Sequence, residues 1–286
     1  MNVGIFTFSK KHGRPIERCG SSIWRGKWYV DNWPEAEYYV EGKKYDVVIF
    51  QKVWWRELYE QLDCIKVLDL CDPEWLMAGW PIVEMSYLVD AIVVASDGLY
   101  NALKPIINPD CELVWINDRV DFQQFGKGMK KQYTSDTVSK IGWFGYFGNG
   151  EKTLQQVIYS LREHDLKLKI ISDNTIEYPD FEQYIENVEF NWETLPYEML
   201  DCDLMLNPPI LSPYSKYKSQ NKTYLAWALG LPVATNGDEL RELLDMVYLR
   251  GQSHRVYDLV RLEYDVKQSI KEYKDLIDRL WERKEK

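Results

Sequence analysis

A glycine-rich stretch near the middle of the chain is the first feature with recognisable chemistry. It runs from Gly142 to Thr153, reads GWFGYFGNGEKT, and follows a short apolar run that predicts a strand. Glycines between a strand and a helix let backbone N–H groups approach a phosphate, and the helix N-terminus adds a favourable dipole. The spacing departs from the phosphate loop of ATPases because Glu151 separates Gly150 from Lys152. The stretch therefore predicts a diphosphate site, with a tight turn that binds nothing as the alternative.

Lysines precede a second predicted helix further along the chain. The segment from Lys216 to Thr235 reads KYKSQNKTYLAWALGLPVAT, in which a helix of small residues ends at a glycine and a strand begins at a proline. Lys218 and Lys222 lie around the start of that helix. Their ammonium groups are predicted to pair with the same phosphates.

Three residues of the first half are candidates for a general base. Asp72 follows a predicted strand in the sequence LCDPE, while His12 and Glu17 lie in a segment after the first strand. A carboxylate at a strand end can meet a substrate hydroxyl, and a base must come within hydrogen-bond reach of the proton that it removes. The alternative for Asp72 is a turn or a helix cap, because Pro73 follows it.

The segment 10–27 is strongly basic. It holds six Lys or Arg residues against one Glu, in a chain whose formal net charge is −10. A loop after the first strand of an open α/β sheet lies at the crevice where such sheets bind ligands. We therefore expect Arg14, Arg18 and Arg25 to line an acceptor site and to favour an anionic acceptor. The alternative is a solvated basic loop.

Short apolar runs alternate with helical patterns along the whole chain, which predicts parallel sheets covered on both faces. The apolar period is lost over 125–139, as in a linker. We predict an N-terminal domain over 1–128, a second domain over 129–262, and an amphipathic helix over 263–286. The predicted strands cover 3–8, 46–50, 66–70, 91–95, 113–116, 140–144, 167–172, 187–190, 204–207 and 232–235. The predicted helices cover 54–62, 81–89, 98–103, 151–163, 195–201, 221–229 and 238–248.

Composition excludes several classes of protein. The 286 residues are 45% hydrophobic and 14% aromatic, enough for a large apolar core, and the acidic balance argues against a non-specific nucleic-acid binder. No apolar run approaches the roughly 20 residues of a membrane helix. Five scattered cysteines and the lack of a leader before the first strand predict a reduced, cytoplasmic protein.

The glycine stretch and the lysine segment together resemble the nucleotide-binding half of GT-B glycosyltransferases, especially the family-4-like group. The shared signature is an Asn-Lys lead, a helix and then Gly-x-Pro-Val, here Asn221-Lys222 and Gly230-Leu-Pro232-Val. The resemblance implies an α/β fold of two facing Rossmann-like domains with a C-terminal helix packing back. It places the acceptor on the first domain and the nucleotide-sugar donor on the second.

The resemblance also implies roles for individual residues. That group usually holds the ribose with a glutamate where this chain has Leu225, so Asn221 or Thr223 is expected to take that role. The residues that the resemblance places beside the donor are Gly145, Gly148, Lys152, Lys218 and Lys222 at the diphosphate, and Ser172 and Asp173 at the strand that borders the base.

The resulting prediction is a glycosyltransferase that moves a sugar from a nucleotide diphosphate sugar, with a UDP-sugar expected, to a hydroxyl on an anionic acceptor. That acceptor would be a lipid-linked sugar, a saccharide or modified DNA. No cofactor or metal is expected, because the helix dipole and the lysines are expected to stabilise the charge on the departing diphosphate without one. The alternatives are a sugar-nucleotide epimerase on the same frame and a glycosyltransferase acting on modified DNA bases.

Overall fold

The computed structural model describes residues 1–155, 157–209 and 212–284 and divides into two compact units. The first unit contains Met1–Arg119, Lys216–Ser219 and the chain from Val266 onward, and the second contains Val120–Ser215 and Gln220–Asp265. The chain thus passes between the units after residues 119, 215, 219 and 265, whereas the sequence predicted boundaries after 128 and 262. The C-terminal segment belongs to the first unit, although the second unit precedes it in the chain.

Within the described residues, each unit contains one sheet whose strands all pair in parallel. The first sheet has the order β2-β1-β3-β4-β5-β6 and the second the order β11-β10-β7-β8-β9. The strands of the first are β1 (Val3–Thr7), β2 (Ala36–Tyr38), β3 (Val47–Gln51), β4 (Ile65–Leu70), β5 (Ala91–Val94) and β6 (Glu112–Trp115). Those of the second are β7 (Lys140–Gly145), β8 (Lys167–Ser172), β9 (Ile185–Glu189), β10 (Leu204–Leu206) and β11 (Val233–Ala234).

Helices alternate with these strands, as expected for parallel sheets covered on both faces. In chain order they are α1 (Phe8–Lys11), α2 (Gly20–Ser22), α3 (Trp28–Asn32), α4 (Arg56–Gln61), α5 (Glu74–Met77), α6 (Ile82–Met85), α7 (Asp97–Leu103), α8 (Phe147–Leu154), α9 (Ile158–Glu163), α10 (Leu195–Leu200), α11 (Asn221–Ala228), α12 (Gly237–Leu243), α13 (Met246–Glu263) and α14 (Val266–Lys284). A π-helix covers Ile23–Lys27, and short 3₁₀ helices cover Ile16–Arg18, Gly126–Gly128, Glu182–Tyr184 and Ser215–Tyr217.

The predicted strands are all present, with ends shifted by at most two residues, because apolar runs that are buried on both faces are easy to read in a sequence. The short strand β2 was not predicted. The helices predicted over 151–163 and 238–248 are each divided in the structure, at the ends of α8 and α12. The segment 10–27, predicted as a loop, consists mostly of short helices.

Each strand order contains a switch point, where the chain moves from one side of a central strand to the other. In the second sheet, β8 lies on one side of β7 and β10 on the other; in the first sheet, β2 and β3 flank β1. Such sheets bind ligands outside the carboxyl ends of the strands that meet at a switch point. The loop after β7 is the glycine-rich stretch.

No helix among the described residues is long and apolar enough to cross a membrane. The apolar residues of each unit form a buried cluster of their own. Val48, Phe50 and Leu68 belong to the cluster of the first unit, and Ile141, Leu168 and Ile170 belong to that of the second.

A charged group lies at the centre of the first unit. The guanidinium of Arg25 is fully buried and donates from Nε to Asp69 at 2.5 Å and from Nη1 to Asp118 at 2.8 Å. Tyr273 of α14 donates its hydroxyl hydrogen bond to Asp69, and Ser219 donates to Asp118. Burial alone would lower the pKa of Arg25, but the neighbouring carboxylates raise it further than burial lowers it, so the ion pairs stay charged.

This burial corrects one expectation from the sequence. Arg25 was expected to line an acceptor site, but its side chain has no exposed surface. The reason is long-range packing, because the carboxylates that neutralise Arg25 come from β4 and from the chain after β6. The local charge of the segment 10–27 therefore overstates the positive charge that it offers to a ligand.

We expect the substitution Arg25→Ala to lower the unfolding free energy of the first unit by about 3–5 kcal/mol, because it leaves two buried carboxylates without their partner. For a unit of this size that corresponds to a fall in Tm of roughly 6–20 °C, measurable by calorimetry. The exposed Arg14→Ala is the control, with an expected change of at most about 0.5 kcal/mol. Equal Tm values for the two variants would contradict the assignment.

Candidate functional site

The ammonium of Lys222 lies against the backbone of Gly145, at the carboxyl end of β7. A Cβ atom added to Gly145 would meet Lys222 Nζ and would approach the ring of Trp143 to 2.9 Å. Gly145 also has a φ of +156°, which L side chains rarely adopt. Glycine at this position thus allows a lysine from α11 to reach the switch point.

Two aromatic rings hold the Lys222 ammonium. Its Nζ lies 4.8 Å from the ring centroid of Trp143 and 5.5 Å from that of Phe144, both residues of β7. Aromatic faces attract a cation. The arrangement therefore holds the Lys222 ammonium beside the glycine loop.

The remaining glycines of the loop have different roles. A Cβ on Gly150 would approach Trp143 to 2.5 Å and Ile176 to 2.6 Å, so Gly150 lets α8 pack closely on the sheet. A Cβ on Gly148 would meet nothing within 4 Å, and its φ is not positive. The backbone conformation at 148 therefore does not by itself require glycine. What Gly148 offers is an exposed backbone at the start of α8.

Asp173 lies at the N-terminus of α8. Its Oδ1 accepts a hydrogen bond from the backbone N–H of Phe147 at 2.7 Å and another from the hydroxyl of Ser172 at 3.2 Å. The carboxylate thus satisfies the first N–H of the helix and complements the helix dipole. An anion at this loop would share the helix N-terminus with Asp173, and the Lys222 ammonium lies beside the same loop.

The residues expected to hold the ribose have distinct environments. Leu225 is only 1% exposed and packs in the interior of the second unit. Thr223 is also buried, and its hydroxyl oxygen accepts a hydrogen bond from Asn207 at 3.0 Å. Asn221, the first residue of α11, is partly exposed and remains the better candidate of the two substitutes. The side chain of Lys152 lies outside the described part of the structure.

A second charged cluster lies at the carboxyl edge of the first sheet. Lys52 follows β3 and pairs with Asp72 and Glu74, each at 2.6 Å, with side chains 13–15% exposed. Lys218 donates to the other oxygen of Asp72. Lys52 has a φ of +51°, which is uncommon for a residue other than glycine and marks a constrained backbone. Two cations and two carboxylates therefore balance one another here.

The electrostatics of this cluster argue against Asp72 as a general base while it is paired with Lys52 and Lys218. Burial favours the neutral carboxyl, but Lys52 and Lys218 outweigh it and hold the pKa of Asp72 below its usual value. Burial would likewise lower the pKa of Lys52, yet Cys71, Asp72 and Glu74 raise it. Asp72 is a charged partner of lysines. Sequence reasoning did not single out Lys52, although its place directly after β3, at a switch point, is the signal that identifies it.

The other predicted residues of the first unit lie on short helices or in the turns between them. His12 is exposed at the end of α1, with its ring centroid 4.4 Å from that of Phe8. The Nζ atom of Lys11 lies 3.8 Å from the ring centroid of Trp55. Arg14 and Arg18 are exposed.

Residues that could hold a metal ion are not grouped anywhere in the described ranges: no cluster of three or more His, Cys, Asp or Glu side chains with that capacity occurs there.

No protein-family model matches the sequence, and no curated protein matches it either. Solved structures do match in fold. HepE from Anabaena, in complex with UDP and glucose, has a TM-score of 0.69 at 11% identity, over 98% of this chain and 100% of that one. An alpha-glucosyltransferase in complex with UDP-glucose and DNA containing an abasic site has a TM-score of 0.69 at 13% identity, over 97% of this chain and 99% of that one.

TarM has a TM-score of 0.62 at 9% identity; the match covers 87% of this chain but only 57% of TarM. At these identities the likeness concerns the fold. The chain has the α/β fold of two Rossmann-like units that characterises GT-B glycosyltransferases, as the sequence predicted.

The ion pairs of Asp72 predict a specific pH dependence. Because its pKa is lowered on folding, its stabilising effect is complete above the unfolded value of 3.8 and is lost as the pH falls through the lower folded value. We expect Asp72→Asn to lower Tm at pH 7, and the difference from the unsubstituted protein to shrink below about pH 4. Calorimetry from neutral to acid pH measures this. The exposed Asp110→Asn is the control, and a difference that stays constant with pH would refute the explanation.

Proposed function

We propose that this protein is a GT-B glycosyltransferase that transfers a sugar from a nucleoside diphosphate sugar to an acceptor hydroxyl. The observation that carries the proposal is the Lys222 ammonium held against Gly145 at the switch point of the second sheet. Ligands of such sheets bind at this edge, and a fixed cation there suits a diphosphate. We further propose the family-4-like group, on the signature around Asn221 and Gly230.

Charge stabilisation is the proposed source of catalysis. As the bond between the sugar and the diphosphate breaks, negative charge grows on the departing oxygen, and a cation already in place stabilises it without reorganisation. Lys222 supplies that cation, and Gly148, which is exposed near the start of α8, supplies its backbone N–H. This arrangement requires no metal. Lys152 and Lys218 remain predicted diphosphate contacts, and Ser172 and Asp173 remain predicted to border the base.

A UDP-sugar is the proposed donor. HepE and the alpha-glucosyltransferase, whose fold matches cover 98% and 97% of this chain, are both described in complexes with UDP-glucose. Leu225, where the related group has its ribose glutamate, is buried, so Asn221 is the proposed ribose partner. The donor base would lie near the end of β8.

For the acceptor we propose an anionic molecule bound by the first unit, with Arg14 and Arg18 as the exposed cations that attract it. Modified DNA is a second candidate, because one matching structure contains DNA. His12 and Asp72 remain the predicted candidates for proton transfer, with Asp72 requiring release from its lysines. We place the protein in the cytoplasm, since its five cysteines are all free.

Incubation with UDP-glucose distinguishes the proposed transferase from an epimerase. A transferase releases UDP, slowly in water and faster when an acceptor is supplied, whereas an epimerase changes the sugar and leaves the diphosphate linkage intact. Chromatography of the nucleotide products separates these outcomes. Epimerised UDP-sugar without UDP release would overturn the proposal.

Lys222→Ala should slow UDP release roughly ten- to a hundredfold, because a charge-assisted contact contributes about 1.5–3 kcal/mol. The control is Lys167→Ala, an exposed lysine at the opposite, amino-terminal end of β8. Steady-state rates of UDP release measure the effect. Equal rates in the two variants would remove Lys222 from the mechanism.

Gly148→Val should abolish UDP binding in calorimetric titration while leaving the protein folded. The space around Gly148 is open, so the branched side chain would obstruct a ligand and not the fold. Gly237→Val is a matched control, because Gly237 also begins a helix of the second unit with nothing within 4 Å of an added Cβ. Unchanged UDP affinity in Gly148→Val would exclude a phosphate at this backbone.

A further inference from the structure

A cavity of about 540 Å³ lies in the second unit, on a different side of α11 from Lys222. Gln220, Thr223, Tyr224 and Trp227 line it, and they follow the spacing that places residues on one helix face. Lys222 is not among the lining residues and contacts β7 instead. The remaining walls come from the end of β11 and from α12 and α13. The cavity is thus separate from the proposed donor site, and its volume is typical of a small-molecule pocket.

The charge of the cavity excludes an anionic ligand. Glu239 and Glu242 line it, and the described lining residues include no Lys, Arg or His. A phosphate would therefore meet two carboxylates without a compensating cation. The cavity requires a different ligand from the nucleotide.

The lining combines aromatic rings with neutral hydrogen-bonding groups. Trp227 and Tyr248 supply aromatic surface, while Gln220, Gln252 and Thr235 supply amide and hydroxyl groups. Aromatic surface packs against the apolar face of a sugar ring, and carboxylates and amides bond its hydroxyls. We propose that this cavity is a binding site for a neutral saccharide, distinct from the donor site.

An organic cation is the competing ligand for an acidic, aromatic cavity, and two contacts disfavour it. Tyr224 and Tyr264 stack on each other with centroids 4.1 Å apart, so those faces cover each other instead of forming a cage for a cation. Glu239 accepts hydrogen bonds from the N–H and hydroxyl of Thr235 at 2.7 and 2.8 Å, which partly compensates its charge. Glu242 is exposed and accessible to a sugar hydroxyl.

Isothermal titration of the full chain with maltotriose, cellotriose and choline chloride tests the proposal. We expect one of the trisaccharides to bind with a millimolar Kd, choline not to bind, and saturating UDP to leave the saccharide affinity unchanged. Glu242→Gln and Tyr248→Ala, both at exposed positions, should each raise the saccharide Kd about tenfold and leave the UDP affinity unchanged.

Tyr197→Ala is the matched control, since Tyr197 is an exposed tyrosine on α10, outside the cavity. It should change neither affinity. The proposal is overturned if neither trisaccharide binds, if choline binds in their place, if UDP displaces the saccharide, or if the cavity variants bind it normally. The inference does not depend on glycosyl transfer, because UDP affinity and UDP release are measured separately.

Discussion

The contact between the Lys222 ammonium and the Gly145 backbone depends on most of the second unit. β7 must be the central strand of the sheet for its carboxyl end to lie at the switch point, and β10 must lie beside it so that α11 begins nearby. Trp143 provides the aromatic surface under the ammonium and also limits the space above Gly145 and Gly150. One tryptophan thus links the packing of α8 to the position of the charge.

Two charged clusters of the first unit differ in how deeply they are buried. In the first, Arg25 and its carboxylates are fully buried and join β4, the chain after β6 and α14 through Tyr273. A buried ion pair of this kind is costly to break, although forming it adds little net stability. The Asp72 cluster is more exposed and involves Lys52 in a constrained backbone conformation, as residues near functional sites often are. The first arrangement therefore suits a fixed scaffold, whereas the second leaves its charged groups partly accessible to solvent.

Helix α11 separates two electrostatic environments in the second unit. Lys222 directs a positive charge towards the glycine loop, while Thr223, Tyr224 and Trp227 face a cavity lined by two glutamates. An eight-residue helix can do this because successive residues point in directions about 100° apart. The two ligands proposed here, an anionic diphosphate and a neutral saccharide, would thus bind on different sides of the same helix.

The sequence alone determined the alternation of strands and helices, the two parallel sheets and the glycine loop, because apolar runs, glycines and helix spacing are local patterns. It also brought Lys222 into the same proposed site as that loop. Only the tertiary structure decided which charges are available: Arg25 is buried because Asp69 and Asp118 meet it from distant parts of the chain, and Asp72 is paired because Lys52 and Lys218 reach it. Burial and ion pairing depend on contacts between residues far apart in sequence, which a local pattern does not contain.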